Sequence, residues 1–277
     1  MAETPRSLVL NLFGDYLRYA GGEVKLGELT ELMTGFGLEP ATIRVSMSRL
    51  RKEGWFSTRK DGRETVYTLS GAMLEVLTEG RARIFRRRQD AWTGRWTMVI
   101  YQVPESERAV RELLRKQLAW AGFGQLSPST WLAPHDLSVE AKELAARHGC
   151  ARIDVLWCGS DDADEARDLA LRCWDLETLG RDYRTFLGTY GHLDNPRSNL
   201  TRDGRQALLE RTRLINDFRR FPFRDPELPA QLQPENWPGP AAFSLFRRVH
   251  EQLGPQANGY VEGVIGRPLQ LPAPRDM

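Results

Sequence analysis

The chain has 277 residues, of which 41% are hydrophobic and 27% are charged, and this composition excludes a largely disordered protein. At roughly 150 residues per domain, the length predicts two or three domains. No apolar run approaches the ~18 residues of a membrane helix, and the first residues lack the order of a secretory signal. The three cysteines, Cys150, Cys158 and Cys173, are too few for a disulfide framework. We therefore expect a soluble, cytoplasmic protein with no membrane partner.

The net charge of +2 conceals a basic block. Residues 41–95 contain 13 Lys and Arg against 6 Asp and Glu, whereas residues 1–40 contain 3 against 6. The remainder contains 23 against 25. A local basic block in an otherwise balanced chain favours a polyanionic partner.

The first 70 residues predict three helices followed by a hairpin. Helical spacing of apolar residues predicts helices at 7–20, 27–36 and 41–52, the last with Ile43, Met47 and Leu50 on one face. The period then changes, and strands are predicted at 55–60 and 63–69 around a turn at Asp61-Gly62. This order predicts a winged helix-turn-helix domain.

The third helix and the hairpin carry the candidate DNA-binding residues. The candidates for reading bases are Thr42, Arg44, Ser48 and Arg49, with Arg51 and Lys52 beside them. At the hairpin, Arg59, Lys60 and Arg63 are candidates for phosphate or minor-groove contacts. A charged helix face is usually only solvated, but here the helix-turn-helix spacing, the hairpin and the basic block coincide. Together they favour binding to double-stranded DNA.

The stretch from Thr42 to Trp55 resembles the recognition helix and wing entry of GntR-like winged helices. More specifically, it resembles the PaaX-like regulators, the repressor family of phenylacetate degradation. That resemblance implies a dimeric repressor, and it extends along the rest of the chain.

A helix predicted at 71–88 ends in five arginines, Arg81, Arg83, Arg86, Arg87 and Arg88. These arginines either contact the phosphate backbone of DNA or belong to a solvated linker helix, and both interpretations stay open. Strands predicted at 96–103, 123–126, 130–133 and 151–157, with helices at 105–120 and 137–148, follow in the order β-α-β-β-α-β of a ferredoxin-like domain. This part resembles the central PaaX domain in Gly94-Arg95-Trp96, Val103-Pro104-Glu105 and 120–124.

That central domain is related to small CRISPR-associated nucleases, so a nuclease is an alternative. A metal-dependent nuclease needs a carboxylate at the end of the first strand, which here reads Tyr101-Gln102-Val103. Glu105 follows Pro104 and is interpreted as a residue of the first helical turn. The four histidines, His135, His148, His192 and His250, are scattered, and no nucleophile or phosphate-loop motif is present. We expect no enzyme, cofactor or metal, and a dimerisation or scaffold role for this domain.

The carboxy-terminal part predicts helices at 161–174, 176–190 and 201–218. It resembles the PaaX carboxy-terminal domain in two motifs, 224–229 (Arg-Asp-Pro-Glu-Leu-Pro) and 237–239 (Trp-Pro-Gly). Where the family has His-Glu-Tyr, this chain has Asn216, Asp217 and Phe218. Since an amide does not titrate near neutral pH, a protonation role at Asn216 is not expected.

Three arginines, Arg219, Arg220 and Arg224, lie in sequence beside Phe218, Phe221 and Phe223. Such a cluster suits an anionic ligand with an aromatic part, and the resemblance implies phenylacetyl-coenzyme A as the effector. In the alternative, Arg219 and Arg224 pair with Asp217, Asp225 or Glu227 while the phenylalanines fill the core.

These patterns predict an α+β multidomain protein with a winged helix at 1–90, a ferredoxin-like domain at 91–174 and a mainly helical domain at 175–277. The predicted function is a homodimeric repressor that leaves its operator DNA when an acyl-coenzyme A binds. A nucleic-acid-processing enzyme and an effector-insensitive DNA-binding protein are the alternatives.

Overall fold

The computed structural model describes residues 4–88, 90–147, 152–160 and 162–272. His148, Cys150, Ala151 and Asp161, which entered the sequence predictions, lie outside these ranges. The chain divides into two compact units. Unit 1 comprises Met1–Arg86, Phe186–Arg219 and Ala241–Met277, and unit 2 comprises Arg87–Thr185 and Arg220–Pro240. Helices and two small antiparallel sheets confirm the α+β class. The three domain boundaries predicted above stay a prediction.

Unit 1 begins with helices around a small sheet. Its elements are α1 (Pro5–Asp15), β1 (Glu23–Lys25), α2 (Leu26–Thr34), α3 (Pro40–Lys52), β2 (Phe56–Asp61), β3 (Glu64–Leu69) and α4 (Gly71–Phe85). The three strands are antiparallel in the order β1-β3-β2. The first helix is shorter than predicted, because the chain passes into a 3₁₀ turn at Leu17–Ala20.

Local signals account for these elements. The Thr4 side chain accepts a hydrogen bond from the Ser7 N–H and caps α1, and Pro40 occupies the first turn of α3. Between β2 and β3 the two-residue turn is Gly62-Arg63, one position later than predicted, since Asp61 pairs with Glu64. Gly62 has a φ of 58°, as expected for glycine at the first central position of a type II′ hairpin turn.

Unit 2 contains a four-stranded sheet with helices. Its elements are β4 (Trp96–Gln102), α5 (Arg108–Ala121), β5 (Gly124–Ser127), β6 (Thr130–Ala133), α6 (Ser138–Arg147), β7 (Arg152–Cys158) and α7 (Ala163–Cys173). The antiparallel strand order is β5-β6-β4-β7. Strand β4 contributes to two cores, because its alternate side chains point to opposite faces. Val99 and Tyr101 pack with α5 and α6, whereas Trp96 packs with α7.

The boundary between the units falls within α8 (Leu176–Tyr190), and three further helices follow. They are α9 (Pro196–Leu200), α10 (Gly204–Phe218) and α11 (Gly239–Ile265). Helix α10 packs against α1, so carboxy-terminal helices share unit 1 with the first 86 residues. The 27-residue α11, which the sequence patterns did not predict, continues through Pro255.

A buried ionic cluster joins four helices of unit 1. Asp15, only 3% exposed at the end of α1, lies 3.0 Å from the Arg81 guanidinium, 3.2 Å from that of Arg211 and 2.8 Å from His250 Nε2. These partners come from α4, α10 and α11 respectively. Arg211 also donates to the backbone carbonyl of His250 at 3.0 Å. We call this group the Asp15 cluster.

The cluster fixes the charge state of its members. Burial alone raises the pKa of Asp15, but Arg211, His250 and Arg81 outweigh it and hold that pKa well below its usual range. Burial, with the nearby Arg211 charge, lowers the pKa of His250 to about 4. At neutral pH the cluster therefore contains an ionised carboxylate, two guanidinium groups and a neutral imidazole.

Replacing Asp15 with Asn should destabilise the protein by about 3–5 kcal/mol, because the buried arginines lose their counter-charge. The free energy of unfolding from urea titration measures this. Glu251→Gln in α11 is the control, since it removes only the more exposed Arg247–Glu251 pair and should cost less than about 1 kcal/mol. Equal effects of the two substitutions would contradict a special role of the Asp15 cluster.

Stability should also fall on acidification. His250 has a pKa of about 4 when folded, below its ordinary value of 6.5, so the unfolded chain binds the extra proton between these values. The contribution of neutral His250 to the free energy of unfolding is present in full above pH 6.5. It is lost as the pH falls towards 4. Between pH 7.5 and pH 5 this amounts to about 2 kcal/mol.

His250→Gln retains an N–H donor for Asp15 but cannot titrate. We expect the variant to lose stability less steeply over pH 7.5–5 in urea titrations. A remaining slope is expected from His135, whose pKa is also lowered by burial. An unchanged slope in the variant would contradict this assignment to His250.

Candidate nucleic-acid interface

Helix α3 has one buried face and one exposed face. Ile43, Met47 and Leu50 are buried in the core of unit 1. With about 100° between successive residues, Val45 lies opposite this apolar stripe and Arg49 lies beside Val45. The core therefore fixes which side chains of α3 face solvent.

Most of the predicted base-reading residues lie on the solvent side. Thr42, Arg44, Arg49, Arg51 and Lys52 are exposed, and Ser48 is half-buried. Within the described ranges, no carboxylate forms an ion pair with Arg44, Arg49 or Lys52. Their charges are not neutralised by a local partner.

A shallow depression of about 390 Å³ lies on this exposed face. It is lined by Ala41, Thr42, Val45, Ser46 and Arg49. The Ser46 hydroxyl donates to the Thr42 carbonyl at 2.8 Å, so it is engaged within the helix. Ala41, Val45 and Ser46 were absent from the predicted site. Ala41 and Val45 were passed over because that prediction favoured charged and hydrogen-bonding side chains, although their spacing of four residues from each other and from Arg49 places all three on one face.

The basic residues of the hairpin differ in their pairing. Arg59 forms an ion pair with Glu23 at 3.0 Å, and its hydrogen bond lowers the pKa of that carboxyl. Lys60 Nζ donates to the Thr65 hydroxyl at 3.0 Å. Arg63 lies in the turn and is exposed, with no carboxylate partner among the described residues. Arg63 and Lys60 therefore keep more of their charge available than Arg59 does.

Two of the five arginines at the end of α4 are engaged inside the protein. Arg81 belongs to the Asp15 cluster, and Arg87 forms a 3.2 Å ion pair with Asp225 within unit 2. The helix ends at Phe85, three residues before the predicted end. The sequence left two interpretations of this cluster, contact with phosphates and a solvated linker. Arg81 and Arg87 fit neither of them, because each pairs with a buried carboxylate.

The candidate effector residues are distributed over both units. Arg219 belongs to unit 1, whereas Arg220 and Arg224 belong to unit 2. Arg220 is exposed, and Arg224 forms an ion pair with Asp182 at 2.6 Å. The alternative that paired Arg224 with Asp217, Asp225 or Glu227 is therefore wrong about its partner.

The neighbouring phenylalanines are not equivalent. Phe218 and Phe221 are buried in the cores of their units, as the alternative expected. Phe223 is 39% exposed, and its ring stacks on that of Trp120 with centroids 4.8 Å apart. Of the three rings, Phe223 is the one whose face pairs with another exposed aromatic side chain.

The Arg-Asp-Pro turn at residues 224–226 has a structural role in unit 2. Asp225 is buried and accepts hydrogen bonds from the Tyr183 hydroxyl at 2.7 Å and from the Glu227 N–H at 2.8 Å. Glu227, with a φ of 52°, also accepts from the Arg88 N–H through its side chain. These contacts, together with the Arg87–Asp225 pair, hold the linker after α4 against the turn.

Asn216 is buried in unit 1 and does not face an open site. Its Oδ1 accepts a hydrogen bond from Asn11 Nδ2 at 3.3 Å, which links α10 to α1. The adjacent Asp217 accepts from the Tyr190 hydroxyl at 2.7 Å. The residues that replace His-Glu-Tyr are thus part of the packing between helices.

The end of β4 opens into a cavity of about 670 Å³ in unit 2. Tyr101, Gln102, Arg111 and Arg152 line it, and Glu105 is the one carboxylate among its described lining residues. Glu105 lies in a 3₁₀ turn and pairs with Arg111 at 2.9 Å. Across the described residues, no group of three or more His, Cys, Asp or Glu side chains is placed to hold a metal ion. Among the described residues, no helix is long and apolar enough to cross a membrane.

An α+β chain that presents exposed arginines on one helix, beside a basic hairpin, has the features of a nucleic-acid-binding protein. Comparison with known proteins identifies the family of the chain. Three family models match: "PaaX-like protein" at residues 4–73, "PaaX protein central Cas2-like domain" at 89–170 and "PaaX-like protein C-terminal domain" at 174–263.

The chain is 31% identical over 282 residues to the transcriptional repressor PaaX of Escherichia coli strain K12, covering 97% of this chain and 86% of that protein. The chain belongs to the PaaX family, which confirms the resemblance seen in the sequence. A solved structure of an uncharacterized protein from Mycobacterium tuberculosis shares the fold. Its TM-score is 0.65 at 24% identity, and the match covers 94% of this chain and 98% of that one.

Proposed function

We propose that this protein is a sequence-specific DNA-binding transcriptional repressor. The observation that carries the proposal is the exposed face of α3, where Arg44, Arg49 and Lys52 lie over a buried core and have no carboxylate partner among the described residues. The relationship along the whole chain to a protein named as a transcriptional repressor supports it. The protein acts in the cytoplasm and catalyses no reaction.

In this proposal the first part of unit 1 is a winged helix-turn-helix. Helix α3 enters the major groove, where Thr42, Arg44, Ser48 and Arg49 contact base edges. Arg51 and Lys52 lie near the end of the helix and contact phosphates. Lys60 and Arg63 reach the backbone or the adjacent minor groove from the hairpin, and Arg59 does so through its remaining hydrogen-bond donors.

The four-stranded sheet of unit 2 serves as a ferredoxin-like dimerisation or scaffold domain. Its strand order, β5-β6-β4-β7, is compatible with that fold. A homodimer would present two copies of α3 to two half-sites of an operator, so that both contribute to the affinity.

The regulated genes are those of aromatic, phenylacetate-type catabolism, and the effector is an acyl-coenzyme A such as phenylacetyl-coenzyme A. Arg220 and Arg224 of unit 2 supply positive charge for its phosphates, and the exposed Phe223–Trp120 stack of the same unit offers an aromatic surface. Release requires the effector to bind the conformation that does not dock on DNA more tightly than the one that does.

Replacing Arg44 or Arg49 with Ala should weaken binding to the DNA upstream of the protein's own gene by about 5- to 150-fold, the range for an arginine that contacts guanine. Gel shifts at constant salt measure the affinity, and thermal unfolding measures the fold. The unfolding midpoint should change little, since both side chains are exposed.

Arg172→Ala is the matched control, because Arg172 is an exposed arginine on α7 that pairs with Asp168 at 3.5 Å. It should leave DNA affinity unchanged. Absence of any shift by the wild-type protein would contradict the proposed function, and equal losses in all three variants would contradict the assignment to α3.

Phenylacetyl-coenzyme A should dissociate the DNA complex in the same assay, whereas free coenzyme A should not. Arg220→Ala and Arg224→Ala should raise the effector concentration needed for half release about tenfold without changing DNA affinity, since each loses a charge-assisted hydrogen bond. Arg172→Ala again serves as the control. A complex that withstands every acyl-coenzyme A tested would favour the effector-insensitive alternative.

A further inference from the structure

Val45 is a large apolar side chain on the exposed face of α3, where most of its neighbours are polar or charged. Its side chain is 62% exposed, although β-branched apolar residues have low helix propensity and gain nothing from contact with water. It lies opposite the buried stripe of Ile43 and Met47, at the centre of the face that the proposed function directs towards DNA. In the proposed function a side chain at this position faces the major groove.

The surroundings of Val45 restrict what it can contact. Ala41 precedes it by one helical turn and Arg49 follows by one turn, and all three line the same shallow depression. Ser46, which also lines it, uses its hydroxyl for the Thr42 carbonyl. The depression therefore combines the apolar side chains of Ala41 and Val45 with the Thr42 hydroxyl and the Arg49 guanidinium.

The major groove offers one apolar group at base level, the C5-methyl of thymine. A phosphate or the polar edge of a guanine–cytosine pair would lose hydration against Val45 without gaining a hydrogen bond. Base contacts of a recognition helix begin at its N-terminal residues, and Val45, the sixth residue of Pro40–Lys52, lies between the proposed base-reading residues Arg44 and Arg49.

We propose that Val45 is a specificity-determining residue that contacts the C5-methyl group of a thymine, with Ala41 forming the other side of the methyl site. Arg49 then contacts the adjacent base pair, so that the helix reads a thymine next to a guanine. This inference rests on the proposed function, because it requires α3 to lie in the major groove.

Deoxyuridine substitution isolates the methyl group, since uracil differs from thymine by that group alone. A preferred duplex is first selected from a random synthetic pool with the wild-type protein. Each thymine is then replaced in turn by deoxyuridine, and the Kd is measured by fluorescence anisotropy at fixed salt. Synthetic DNA contains thymine as its only C5-methylated base.

For the wild-type protein we expect at least one thymine whose replacement weakens binding about fourfold, the effect of one buried methyl group. Val45→Ala should bind the selected duplex without deoxyuridine about fourfold more weakly than the wild-type protein does. The variant should no longer distinguish thymine from uracil at that position. The variant should remain folded, because alanine favours helix more than valine does.

Val139→Ala is the matched control, since Val139 is 64% exposed on α6 in unit 2. It should behave as the wild-type protein does. Wild-type binding that is indifferent to every deoxyuridine would overturn the inference, as would a Val45→Ala protein that keeps the fourfold discrimination. A selection that enriches no sequence would instead overturn the proposed sequence-specific function.

Discussion

The buried carboxylate of Asp15 is the constraint on which unit 1 depends. A charge that is 3% exposed is tolerated only when cations and hydrogen-bond donors surround it. Those donors come from Arg81, Arg211 and His250, which are distant in sequence and lie on three different helices. The end of α1, the last turns of α4 and the middles of α10 and α11 must therefore meet, and the carboxy-terminal helices become part of the same unit as α3.

The arginines of residues 41–95 and of α10 differ in whether a buried carboxylate binds them. Arg81, Arg87 and Arg211 are held by buried carboxylates and stabilise the fold. Arg44 and Arg49 are exposed over an apolar core. The positive charge of residues 41–95, which appeared as one block in the sequence, thus serves two purposes. The part on α3 and the hairpin is available to a polyanion, whereas Arg81 and Arg87 are bound by buried carboxylates.

Short-range signals predicted much of the fold. Pro40 and the spacing of Ile43, Met47 and Leu50 located α3, and Asp61-Gly62 located the hairpin to within one residue. Long-range pairs such as Arg87–Asp225 were not predictable, because no sequence pattern selects one carboxylate among many. Helix α11 was missed since Gly254-Pro255 indicates a break. Val45 was missed because an exposed apolar residue, considered alone, is ordinary.

The proposed contact between α3 and DNA can be located directly by amide hydrogen exchange of the full-length protein with and without a bound duplex. The proposal predicts slower exchange in Pro40–Lys52 and in the hairpin of β2 and β3 when DNA is present. It also predicts no comparable protection in α6 or α7, which carry the control residues. Protection confined to unit 2, with exchange in α3 unchanged, would contradict the central claim that α3 is the DNA-reading element.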